Sequence, residues 1–161
     1  MLHLGAPSGI MSPVVRDSIR FLQAQGYRVT EPRRRVLEVL EGAQVPLSPY
    51  DIQRALRGRG KCPNHVTIYR VLGLLCRLNL AHRILSKGGF VKCSLDSREG
   101  CHRLMICRCC GALQEFSSDG LCREESELAG QCGFHAEHHV SESSGLCSIC
   151  YRKQFEQSPE I

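Results

Sequence analysis

At 161 residues the chain suits one domain or two small ones, and small domains bury too little apolar surface to be secure without a staple. Residues 1–16 hold no basic stretch followed by an apolar run, and no segment is apolar enough to span a bilayer, so the eleven cysteines read as cytosolic metal ligands or redox sensors rather than secreted disulfides. The net charge of +5 joins two unlike halves: residues 1–95 carry 15 Lys/Arg against 5 Asp/Glu, and residues 96–161 carry 6 against 11.

In chain order, 14–26 reads as a first helix, with Val15, Ile19 and Leu22 on one stripe and Gly26 as its stop. Thr30 is placed to cap a second, with Pro32 in its first turn and Val36, Leu37 and Leu40 facing inward. Ser48 caps a third, in which Pro49 takes the first position and Asp51 supplies the acid of a capping box. Ile52, Ala55 and Leu56 form its apolar face, and Gly58 and Gly60 end it. Asn64 caps a fourth that runs to about Leu78, with Ile68, Val71, Leu72, Leu75 and Leu78 on a single face. The opposite face begins with His65, Val66, Thr67, Tyr69 and Arg70, and Asn79 suits the left-handed residue that stops a helix. Strands over 81–85 and 90–95 follow, joined by the turn Ser86-Lys87-Gly88-Gly89.

Helices followed by a basic hairpin describe a winged helix-turn-helix, whose last helix enters the major groove of double-stranded DNA. Arg70 is the residue suited to base reading, because its fork matches guanine O6 and N7. Tyr69, Thr67, Tyr50 and the run Arg33-Arg34-Arg35 are placed to position phosphates.

The second half contains two C-x-x-C pairs, Cys107/Cys110 and Cys147/Cys150. This spacing turns two thiolates toward one point, and two such pairs make a closed Cys₄ site of the structural zinc type. The zinc would pin the end of this region back onto its beginning.

Together these segments resemble the ferric uptake regulator superfamily. Val29-Thr30-Glu31-Pro32-Arg33 is similar to the family's LTPQR, and Thr67-Ile68-Tyr69-Arg70-Val71-Leu72 to its TVYRVL. Met105-Ile106-Cys107-x-x-Cys110-Gly111, Glu115-Phe116, Gly133-Phe134 and Gly145-Leu146-Cys147-x-x-Cys150 follow in family order over residues 28–150. Ser48-Pro49-Tyr50-Asp51, Ala81-His82-Arg83 and Phe90-Val91-Lys92-Cys93 resemble the zinc uptake regulator (Zur) branch more than the iron branch.

The resemblance implies an α/β (α+β) chain: a winged-helix DNA-binding domain over 1–95, a hinge at 96–100 and a small α/β dimerisation domain over 101–161. It also implies a homodimer that binds a pseudo-palindromic operator when a second, regulatory metal site fills. By the same resemblance that site comprises His82, Cys93, His102 and Glu115, with Cys101 as the alternative to His102. One thiolate, two imidazoles and a carboxylate favour zinc over iron, giving two Zn²⁺ per protomer. A further metal site found in some relatives would fall on Cys101, Arg103, Cys122 and His139. Arginine cannot ligate, so surface histidines (His135, His138, His139) and a packed helix cysteine are the expectation there. Cys109 reads as a bystander, and Cys62, Cys76 and Cys132 carry no assignable chemistry.

The expected function is a cytoplasmic zinc-responsive transcription regulator, acting in the usual case as a repressor of zinc-homeostasis genes. The alternative is a regulator answering to iron, or to peroxide or thiol oxidation. Neither H-E-x-x-H nor H-x-E with P-C-x-x-C occurs, so no motif of a zinc enzyme is present. An adaptor binding protein rather than DNA is disfavoured by the basic half.

Overall fold

The computed structural model describes residues 13–58, 62–95, 101–135 and 140–155. Its first part is helical: α1 (Pro13–Ala24), α2 (Glu31–Glu41), α3 (Pro49–Leu56) and α4 (His65–Arg77) precede the hairpin β1 (Ala81–Ile84) and β2 (Gly89–Lys92). The second part is a small sheet with two helices, in the order β3 (His102–Cys107), β4 (Leu113–Ser117), α5 (Asp119–Gln131), β5 (Val140–Gly145) and α6 (Ser148–Phe155). Among the described residues no helix is long and apolar enough to cross a membrane.

The helix starts follow from side-chain chemistry. Ser48 Oγ accepts from the Asp51 amide at 3.2 Å while the Ser48 amide donates to Asp51 Oδ2 at 3.1 Å, which closes the expected capping box. Asn64 Oδ1 accepts from the Thr67 amide at 2.9 Å and orients the start of α4. Thr30 differs from expectation: its side chain makes no cap bond, and only its carbonyl engages, accepting from the Arg34 amide at 3.1 Å.

One core lies among the four helices, with Leu22, Val36, Leu40, Ile52, Ile68, Leu72 and Leu75 excluded from solvent. Leu74 is buried as well, so α4 presents a broader apolar face than a single stripe. Arg35 is also buried, and its guanidinium donates to the Leu56 carbonyl at 2.9 Å. That bond ties α2 to α3 and takes Arg35 out of the run placed on phosphates.

The hairpin is shorter than the sequence implies. After β1 the chain makes a 3₁₀ turn, Leu85–Lys87, closed by Gly88 in the left-handed conformation. β2 then starts at Gly89, where a Cβ would lie 2.8 Å from that of Pro46. This close approach lets Leu47 and Phe90 exchange backbone hydrogen bonds of 2.9 and 2.8 Å. Cys93 therefore sits one residue past β2 rather than within a strand, its amide still held by the Leu80 carbonyl at 3.1 Å.

In the second part β3 is central, antiparallel to β4 and parallel to β5. Ile84 from the hairpin packs with Leu104 and Ile106 of β3, flanked by Val91 and Leu113, so the wing rests on the sheet. Glu142 of β5 adds a polar tie by accepting from the amides of Leu85 and Ser86. The segment 96–100, expected as a hinge, lies outside the described residues, as does Gly60.

Candidate metal centres and nucleic-acid interface

The first centre is built by two turns at one end of the sheet. Cys107 ends β3 and Gly145 ends β5 directly beside it in parallel register. Beyond Cys107 the chain reverses through Gly111 (φ 76°), with the Cys107 amide bonded to the Ala112 carbonyl at 2.8 Å. Beyond Gly145 it enters α6 through Cys147 and Cys150. The sulfurs of Cys107, Cys110, Cys147 and Cys150 lie within 4.8 Å of one another. Cys110 and Cys147 approach to 3.7 Å, near the roughly 3.8 Å edge of a tetrahedron with Zn–S bonds of about 2.3 Å.

The electrostatics of this cage ask for a cation. The Cys110 amide, helped by the Cys147 and Cys109 amides, lowers the Cys107 thiol to about 6. The Cys150 amide lowers Cys147 in the same way. The Cys150 thiol is pushed up, first by the Cys147 thiol and then by Cys110 and burial. Sulfurs this close cannot all ionise without positive charge among them, which a dication would supply.

The second centre gathers side chains from both parts of the molecule. His82 comes from β1, Cys93 from the residue after β2, His102 from the start of β3 and Glu115 from β4. Their ligand atoms also lie within 4.8 Å of one another. Glu115 Oε1 is the hub, 2.7 Å from His82 Nε2, 2.8 Å from His102 Nδ1 and 3.4 Å from Cys93 Sγ. Its other oxygen accepts from the Ser94 amide at 2.6 Å and the Ser94 hydroxyl at 2.9 Å. His82, Cys93 and His102 are at most 2% exposed.

Two features fit a metal ion here better than a hydrogen-bonded core. His82 Nε2 is close to Glu115 Oε1 yet lies off the line of a hydrogen bond, and counts as a buried nitrogen without a hydrogen-bond partner. That is the geometry of ligands converging on a shared point. Burial pushes the Glu115 carboxyl up, but the close His82 imidazole, the Ser94 amide and His102 together outweigh it and hold the group ionised, well below the usual range.

The exposed side of α4 carries the candidate nucleic-acid contacts. Tyr69 and Arg70 are exposed and Thr67 is half-buried. The Tyr50 ring meets the His65 imidazole edge-on at 3.8 Å, and His65 lies 5.8 Å from the Tyr69 ring, so three rings line the start of the helix. Arg33 is half-buried, donates to the Arg28 carbonyl and stands over the Tyr27 ring at 5.8 Å. Arg34 pairs with Glu31 and Glu38, each at 2.6 Å. Arg70 is exposed, whereas the Arg33 and Arg34 guanidiniums are engaged within the chain.

A ferric uptake regulator family model matches residues 24–143. The chain belongs to the ferric uptake regulator family. It is 31% identical over 134 residues to the zinc uptake regulation protein of Escherichia coli (strain K12), covering 83% of this chain and 78% of that one. Its fold is similar to a zinc uptake regulator complexed with zinc and DNA (TM-score 0.78, 27% identity, 88% of this chain and 95% of the other). It is likewise similar to holo XcZur, with TM-score 0.76 and 26% identity over 85% of this chain and 96% of the other.

Within this family framework four residues have partners that their sequence context does not announce. Cys101, the alternative ligand, is bonded to Cys122 of α5 and stands apart from the His82/Cys93/His102/Glu115 group. Cys122 is accordingly a cross-linked residue rather than a packed helix thiol. Glu142 had no signal at all, because a glutamate on a strand does not reveal which backbone it will meet. His65 looked like one more exposed residue of α4. His138 and His139 lie outside the described residues, and His135 is exposed.

Proposed function

We propose that this chain is a zinc-responsive transcription regulator that binds operator DNA as a homodimer when its second metal centre is filled, repressing zinc-homeostasis genes. Two zinc ions per protomer serve different ends. The Cys107/Cys110/Cys147/Cys150 ion would be permanent, because its binding energy is folding energy. The ion held by His82, Cys93, His102 and Glu115 would exchange with the surrounding pool and bias the orientation of the winged helix.

The observation that carries the reading is the split origin of the second ligand set. Two ligands belong to the wing and two to the sheet, so filling the site links the DNA-reading part to the rest of the chain. Zinc supplies a closed-shell Lewis acid that satisfies sulfur, nitrogen and oxygen donors together. Exposed Leu121 and Leu128 on α5 offer apolar surface for a second copy. The relatives named for zinc uptake, one of them solved with zinc and DNA, support the choice of metal and partner.

The test is a zinc titration of metal-depleted protein with fluorescence anisotropy on promoter DNA. Binding should appear with the second zinc per protomer, and equally tight binding with that site empty would refute the switch. Arg70→Ala should cost roughly 1–3 kcal/mol for a lost bidentate contact and relax sequence preference. An unchanged preference would remove Arg70 from base reading.

A further inference from the structure

Two cysteines lie outside both metal centres yet beside one of them. Cys101 immediately precedes β3 and is 3% exposed, and the next residue, His102, belongs to the second centre. Cys122 sits in the opening turns of α5, behind the cap Ser118, and is half-buried. The two are joined as a disulfide with their Cα atoms 5.6 Å apart, within the ordinary bridging range.

The bond has an unusual share in holding α5. That helix buries none of its residues within the chain. α5 is also tied to β3 by the ion pair of Arg103 with Glu125, at 3.0 Å. Arg103 also donates to Ser141 Oγ of β5 at 3.0 Å. Residues 101 and 103 alternate onto one side of an extended chain, and 122 and 125 share one face of a helix, so the disulfide and the ion pair run side by side. A guanidinium in that corner opposes a bound cation, which leaves the two sulfurs to react with each other.

We propose that Cys101 and Cys122 form a reversible thiol–disulfide site whose oxidation strengthens zinc retention at the neighbouring His82/Cys93/His102/Glu115 centre. The closed loop of 101–122 contains His102 and Glu115, so the bond fixes both sheet-borne ligands against α5. The structure displays the bonded pair together with an assembled ligand set. Opening the bond removes the covalent tie between the start of β3 and α5, leaving the Arg103–Glu125 ion pair beside it, and His102 gains freedom that zinc must then remove.

The co-reactant is a small disulfide of the glutathione class. The Cys122 thiolate, the more accessible of the two, attacks one sulfur of the small disulfide and expels one thiol. Cys101 attacks the resulting mixed disulfide and expels the second. The pair loses two electrons and two protons, the small disulfide leaves as two thiols, and excess thiol reverses both steps. Cysteine pairs that cycle in this way are the ones found in reducing compartments.

The coupling rests on the zinc-sensor reading; the cross-link does not. Full-length zinc-loaded protein is incubated with oxidised or reduced glutathione, alkylated, and mapped by mass spectrometry without reduction. Release of zinc to a chromophoric chelator is followed in parallel. The oxidised wild type should carry the 101–122 cross-link and release the weaker-held zinc at least about fivefold more slowly than the reduced protein. Cys122→Ser should release zinc like the reduced wild type under both conditions. Absence of the cross-link, or equal release from oxidised and reduced wild type, overturns the proposal without depending on a variant that folds. Zinc-dependent DNA anisotropy on the reduced protein separates the two readings: its absence refutes the zinc switch while the cross-link and release data stand on their own.

Discussion

The two four-ligand centres share a strand but are assembled in opposite ways. The Cys₄ cage draws on two turns at one end of β3 and β5, where parallel register sets Cys107 beside Gly145. The mixed centre draws on β1, the residue after β2, β3 and β4. β3 carries a ligand of the first centre at its last residue and one of the second at its first, about 16 Å away along an extended strand. A chelate formed by adjacent turns closes a fold, and little besides unfolding can open it. A chelate formed across a wing and a sheet responds to how those parts sit, so it is suited to report on a metal pool.

The sharpest way to break this contrast is to remove one ligand from each centre. Cys150→Ser should lose the cage metal and the cooperative folding of the β3–α6 region. Structural zinc in finger peptides contributes about 10–16 kcal/mol, more than a small domain can spare. Thermal unfolding by circular dichroism, with metal counted by mass spectrometry, reads both effects. A variant that kept its transition and its metal would show that the cage is no staple. Glu115→Gln should act differently, removing the ionised hub of the second centre and its zinc while the cage metal and the helical core persist. Operator affinity at fixed free zinc should then fall within the roughly 5–150-fold range of allosteric couplings. Loss of both metals from Glu115→Gln would erase the distinction between clamp and sensor.

Each half of the cage is legible in the sequence because each C-x-x-C pair is local. Two C-x-x-C pairs announce themselves by spacing, and so do the Ser48/Asp51 capping box and the Asn64 cap. Each depends on residues within one turn of one another. The mixed centre has no such spacing: in the sequence His82, Cys93, His102 and Glu115 are linked by the family resemblance, and the packing of the wing on β3 brings them together. The same physics hid Cys122, Glu142 and the burial of Arg35. A guanidinium in a basic run looks solvated until a carbonyl such as that of Leu56 is placed before it.

The smallest expected effect concerns the tie that would let the sensor's state reach the wing. Glu142 presents its carboxylate to the amides of Leu85 and Ser86, at the start of the 3₁₀ turn that ends β1. Burial raises this carboxyl, but the Leu85 and Ser86 amides outweigh it, so the folded group lies below its ordinary value. A depressed carboxylate contributes its stability above the unfolded value near 4.3, and that contribution is lost as the pH falls through the folded value. Between pH 6 and 8 this group should therefore leave zinc-dependent DNA binding unchanged, judged against about 4.3 for a free glutamate. Glu142→Gln keeps the shape and removes the charge, a difference of about 1 kcal/mol at most for a contact this open to solvent. Hydrogen exchange at the Leu85 and Ser86 amides should quicken, and the gain in operator affinity on adding zinc should shrink by no more than about fivefold. Unchanged protection at both amides would mean that the apolar contact of Ile84 with Leu104 and Ile106 carries the wing alone. The coupling between sensor and DNA would then run through hydrophobic packing, and Ile84→Ala rather than Glu142→Gln would be the substitution that uncouples them.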